Sequence, residues 1–152
     1  MQCMDVPALT PSVDFALLAD ALHASGGKLY VLGGGWDTLW VRSFPARHHS
    51  LAIGVRVRVP WTDADRPMQL TIDLVDEDGH PVFNTLHHEF RVSRPRGLPD
   101  GSDIGVVRAF TFNNVPFQTA GAFGFVLSID GVERKRLRFQ VRQRQDVKPN
   151  AE

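Results

Sequence analysis

The chain has one cysteine, one tyrosine and no surplus of either charge, with 17 Lys and Arg against 17 Asp and Glu in 152 residues. Each scarcity excludes a class of protein. A single thiol, Cys3, rules out an internal disulfide framework and a thiolate-ligated metal cluster, so stability has to come from packing. Zero formal net charge removes the long-range field of a dedicated polyanion binder. No window approaches the roughly 18 unbroken apolar residues of a bilayer span. The opening Met-Gln-Cys-Met-Asp has neither the basic start nor the apolar run of a secretory leader. The expectation is a cytoplasmic protein without membrane association.

Catalytic signatures are lacking as well. No serine sits in a Gly-x-Ser-x-Gly elbow, and no triad can be assembled. Gly33-Gly34-Gly35 is followed by Trp36-Asp37 rather than by the Lys-Ser/Thr of a phosphate loop, and reads as a bulge or a close strand crossing. The histidine pairs His48-His49 and His87-His88 are adjacent, so in an extended strand each pair offers at most one ligand to a given site. No cofactor is expected.

What the chain does contain is period-two alternation. Leu51, Ile53, Val55, Val57 and Val59 share one face while Arg56 and Arg58 point away, which is the pattern of a half-buried strand. It recurs at Leu70, Ile72 and Leu74, at His88, Phe90 and Val92, from Phe123 to Ile129, and at Leu137, Phe139 and Val141. Asp78-Gly79 and Asp130-Gly131 supply turn residues that tolerate positive φ. Val13 to His23 also fits helical spacing, through Phe15, Leu18 and Leu22. It is read as a strand, because Ser25-Gly26-Gly27 and Lys28 to Leu32 complete a hairpin and no other helix exists to pack with it. The predicted fold is all-β: an antiparallel β-sandwich of immunoglobulin-like or jelly-roll type with 8–9 strands. Residues 1–12 form an extension, 13–142 the single domain and 143–152 a flexible tail.

The stretches Leu17-Leu18-Ala19-Asp20, Gly27-Lys28-Leu29 through Gly33-Gly34-Gly35-Trp36-Asp37, Phe44-Pro45-Ala46 and Phe125 to Gly131 resemble an uncharacterised bacterial family of small β-sandwich proteins, a domain of unknown function. The resemblance covers nearly the whole chain. It implies a bacterial single-domain sandwich and brings no catalytic residue, ligand or partner with it.

Strand reversal sorts the polar residues between two ends. If residues 81–83 form a short strand, one end collects Arg47, His48 and His49, then Asp76, Glu77 and Asp78, then the 94–104 loop and Asp130, while Trp61, Asp63 and Asp65 fall at the other. Without that strand the later loops swap ends. The candidate metal or small-ligand site is therefore His48 or His49 with Asp76, Asp78 and Asp130, the donor types a divalent cation needs. His88 is read as a satisfied histidine at the edge of the core. Arg134, Arg136, Arg138 and Arg142 mark one face of the last strand. From Arg134 to Lys148, seven basic residues face one acid, a net +6, whereas Asp63 to Asp78 holds six acids and one arginine, a net −5. Nucleic-acid backbone binding through this stripe is the weaker reading, because the strand's aromatic residue points inward; cross-strand ion pairing with Asp73 and Glu89 is the plainer one. At least one of Trp36, Trp40 and Trp61 belongs to the core. Trp40 and Trp61, if exposed, are natural anchors for a partner. The leading expectation is a non-enzymatic module that binds another protein or its own copy, as a homodimer, through a sheet face or edge with charge complementarity.

Overall fold

The computed structural model of the chain describes residues 10–145. Cys3, most of the expected N-terminal extension and the end of the expected tail lie outside them. Nine strands form, with one 3-10 turn at Trp61–Asp63 and no α-helix among the described residues. No helix there is long and apolar enough to cross a membrane.

One sheet contains β1 (Ser12–Ser25), β2 (Lys28–Gly34), β4 (Ala46–Val59) and β7 (Ile104–Phe117), in the order β2-β1-β4-β7. The other contains β3 (Thr38–Val41), β5 (Met68–Asp76), β6 (Leu86–Phe90), β8 (Gly121–Ile129) and β9 (Val132–Gln143), in the order β3-β9-β8-β5-β6. The ambiguous segment after Val13 is a strand, as the hairpin signal at Gly26-Gly27 requires. Asp130 and Gly131, at φ 51 and 81, make the two-residue β8–β9 turn, whose left-handed backbone matches the twist of the flanking strands.

One pairing departs from a wholly antiparallel fold: β3 runs parallel to β9, with Thr38 opposite Gln140 and Val41 opposite Gln143. The chain crosses from one sheet to the other after β2 and back again before β4. A strand inserted between two crossings need not oppose its new neighbour, and here it buries Leu39 and Val41 beside Val141.

Both sheets contribute to one apolar core, with Ile53, Val55 and Val57 from β4 meeting Leu70, Ile72, Phe125 and Leu127 from β5 and β8. Phe139 is its aromatic centre, contacting the rings of Trp36, Phe117, Phe123 and Phe125 at 5.4 to 6.0 Å. Burial on this scale, at about 25 cal/mol per Å² of apolar surface, is what holds a disulfide-free domain together.

Residues 81–83 do not form a strand; only an isolated bridge joins Pro81 to Val75. Asp76 N–H bonds the His80 carbonyl and Val82 N–H the Leu74 carbonyl, both at 2.9 Å, so residues 80–82 run along β5 in the same direction as β6 and add no reversal of the chain. The ends are redistributed accordingly. Tracing the registers places residues 42–45, 77–80 and 118–120 at one end and 60–67, 91–103 and 130–131 at the other.

Candidate functional site

At the first end, Asp76 Oδ1 accepts the backbone N–H of Asp78 at 3.0 Å and of His80 at 2.9 Å, and His80 Nδ1 lies 3.6 Å from Asp76 Oδ2. Donor atoms of Asp76, Asp78 and His80 fall within 4.8 Å of one another. His80 was absent from the expected ligand set, although its Asp-x-Asp-x-His spacing was readable. The carboxylate's two backbone bonds make the arrangement a turn closed by an aspartate. His48 and His49 do not join this cluster. His48 is half-buried in β4 within reach of the Asp20 charge, and burial lowers its pKa against the smaller raising effects of Ser50 and Asp20.

Asp130 is removed from the candidate metal site altogether. It accepts Gln69 N–H at 3.0 Å and the Arg66 guanidinium at 3.0 Å, at the opposite end of β5 from Asp76, roughly 20 Å of strand away. The cause is the missing 81–83 strand. Around Asp130, Arg66 also holds Asp63 at 3.1 Å, and Arg58 holds Asp14 at 2.8 Å and Asp103 at 3.7 Å. Arg94 covers the Trp61 ring at 4.4 Å and donates to the Trp61 carbonyl at 2.9 Å, so Trp61 already has a cationic cover. The acidic block of the middle sequence is thus divided: Asp63 and Asp65 lie at one end, Asp76 to Asp78 at the other.

The last strand keeps its arginines outward, but they do not act as one stripe. A β-bulge sets Glu133 and Arg134 against Ser128, and Arg134 Nε is buried without a hydrogen-bond partner. Arg136 pairs with Glu133 at 2.8 Å rather than with Asp73 or Glu89, and Asp73 instead accepts the Thr85 hydroxyl. Arg142 donates to Gln140. Parallel pairing with β3 sets Trp40, 53% exposed, opposite Arg142. An exposed ring therefore does accompany the arginines, a juxtaposition that depends on a strand pairing invisible in the local sequence. Small residues Ala122 and Gly124 floor shallow depressions beside Arg136 and Arg138.

Trp36 packs on Phe139 with its indole N–H buried and unbonded. His88 differs from its expected satisfied state: its ring stacks with Phe90 and meets Phe110, and Nε2 is buried without a partner. Desolvation first, then the Arg108 charge, lowers its pKa.

The strongest surface anomaly is β2. Beyond Ala19, β1 no longer pairs with β4; it pairs only with β2, from Ala19 opposite Gly34 to Ser25 opposite Lys28. The hairpin is a two-stranded ribbon that leans over β4. A Cβ on Gly54 would lie 2.9 Å from Leu22 Cδ1 and 3.0 Å from Leu29 Cδ1, so the absence of a side chain there is what admits the ribbon. With Leu29 turned inward, Tyr30 and Leu32 face solvent at 56% and 71% exposure, and Val31 at the rim is 41% exposed.

Exposed sheet edges invite pairing unless protected by shortness, charge, proline or a bulge. β3 has four residues, and β6 has five with His87 and Glu89 among them. β7 is long but carries Arg108 and Pro116, and at Asn114 its φ of 53 interrupts the run, so that burial shifts from Phe112 to Val115 and Phe117. The β1 half of the ribbon carries Asp20 and His23. β9 before Gln140 and β1 before Ala19 also lack a partner on one side, but each carries charge and a bulge there; among the described residues only β2, past Lys28, has none of these devices through Leu32.

These features define an all-β protein of two sheets with one apolar, unguarded strand edge. The chain belongs to the Family of unknown function (DUF6941), whose family model matches residues 14–142. No curated protein matches it. Among solved structures it is similar to the Pseudomonas fluorescens alkylpurine DNA glycosylase AlkC bound to DNA containing an abasic site analog. The identity is 9%, over 84% of this chain and 30% of that one, with a TM-score of 0.39. The chain spans under a third of that enzyme's length, and a likeness at this level carries no functional argument.

Proposed function

We propose that the protein is a cytoplasmic, non-enzymatic, immunoglobulin-like β-sandwich that binds another polypeptide along the open edge of β2. The observation that supports this reading is the run Tyr30-Val31-Leu32, exposed and uncharged on a strand with a partner on one side only. An extended segment added there would gain main-chain hydrogen bonds for affinity and side-chain contacts for selectivity. Tyrosine is well suited to such a contact, burying a large ring with little rotamer loss. Photo-crosslinking in the protein's native cell tests the reading, with the crosslinker at Tyr30 and, as control, at Gln118 in the turn between β7 and β8. Polypeptide adducts concentrated at Tyr30 are expected. Equal yields at both positions, or no polypeptide adduct at Tyr30, would overturn it.

A second reading rests on Trp40 lying opposite Arg142, with Arg138 nearby: contact with a nucleic-acid strand by phosphate pairing and base stacking. Such binding would weaken steeply with salt and with Arg138→Glu. Binding to single-stranded oligonucleotides that is absent at low salt removes this reading without touching the first.

A further inference from the structure

We infer that the polypeptide taken by β2 is the β2 of a second copy, paired antiparallel across a twofold axis at Tyr30. This rests on the reading above and specifies its partner. The regular part of the strand is bounded by Gly27 and Gly33, at φ 73 and 63, which leaves residues 28–32 as the segment able to pair, with Tyr30 at its middle. A twofold axis normal to the sheet at that residue sets Tyr30 against the second copy's Tyr30, Leu29 against Val31, and Lys28 against Leu32. Every residue then meets a compatible one. The two tyrosines form an aromatic cross-strand pair, and the aliphatic stem of Lys28 covers Leu32, the most exposed large apolar side chain of the described residues.

Charge supports the same partner. Lys28 is the only charged residue of the segment, and this register keeps the two lysines four residues apart along the strands, about 13 Å, beyond the screening length at physiological salt. Any acidic or basic strand from elsewhere would meet no complementary charge on 29–32. The ribbon itself also gains. A two-stranded hairpin is marginal alone, and pairing two copies makes a four-stranded sheet in the order β1-β2-β2-β1. Because the contact is apolar and main-chain, dimerisation should persist in high salt, unlike an association driven by the arginines of β9 and the acids of β5.

Light scattering and analytical ultracentrifugation of the full chain, from micromolar to millimolar and at low and high salt, test the inference. A salt-insensitive dimer is expected. Tyr30→Lys and Tyr30→Glu should each raise the dissociation constant by about tenfold or more, and an equimolar mixture of the two should restore dimerisation, since opposite charges then face each other on the axis. Leu32→Lys, which sets a cation against the second copy's Lys28, should weaken it too and covers the case in which the Tyr30 variants fail to fold. A chain that stays monomeric throughout, or a dimer indifferent to these substitutions, would overturn the inference. Crosslinks from Tyr30 to a different polypeptide would then leave the protein-binding reading standing, whereas none would remove both.

Discussion

β2 and β9 are opposites in how they meet solvent. β9 lies between β3 and β8, paired with β8 along most of its length and with β3 only from Gln140 to Gln143, and arginines project from its outer face. β2 lies at an edge, paired on one side, with almost no charge and a row of exposed apolar side chains. Charge along β9 advertises itself in the sequence, and it guards the stretch from Val132 to Phe139 that β3 does not reach. An uncharged edge advertises nothing and offers the backbone, where strand addition gets its affinity. The more conspicuous strand is the less available one.

The comparison can be tested by substitution, beginning where the effect is largest. Phe139→Ala, on the inward face of β9, should cost about 3–5 kcal/mol in denaturant unfolding because four aromatic neighbours lose their contact. A loss below 1 kcal/mol would mean that Phe139 is not the aromatic centre of the core. Gly54→Val forces Leu22 and Leu29 aside and should cost about 1–3 kcal/mol. Hydrogen exchange should accelerate in residues 20–32 and leave β8 and β9 protected; uniform acceleration would show that the ribbon is not a separate unit.

Acid provides a milder perturbation that acts on neither strand directly. His48 and His88 both have folded pKa values lowered by burial, so the unfolded chain takes up their protons first as pH falls. Stability should be highest above the ordinary histidine range near 6.5 and fall as pH drops through the interval between that value and the lowered folded values. His88→Gln should flatten this dependence, as read from melting temperature against pH. Smallest of all, Leu32→Lys and Arg138→Ala should each change monomer stability by less than about 0.5 kcal/mol, since both side chains face solvent. Only the first should alter oligomeric state. If Arg138→Ala did so instead, the roles assigned to the two strands would have to be exchanged.

Much of the fold was legible locally. Alternation from Leu51 to Val59 and from Phe123 to Ile129 located β4 and β8, because a strand buried on one face must repeat every second residue. Asp130-Gly131 marked its turn through the φ values it permits. The candidate metal site was not legible in the same way. Whether Asp130 joins Asp76 depended on three residues, Pro81 to Phe83, that look like a separate strand but lead along β5 in the direction of β6 without reversing the chain. His80 lies only two residues from Asp78, but an Asp-x-Asp-x-His run is also an ordinary turn sequence, and Trp40 meets Arg142 through a pairing that spans a hundred residues.

The sequence by itself determined the all-β class, the main strands, the tight turns and the division of charge, all of which follow from residue periodicity and local backbone preference. Only the tertiary structure decided that Asp130 lies at the opposite end of β5 from Asp76, that β3 lies parallel to β9, and that β2 is left with an open edge. Those outcomes depend on which strand lies beside which. Neighbour choice is settled by packing both sheets onto one core, and no short window of residues contains that information.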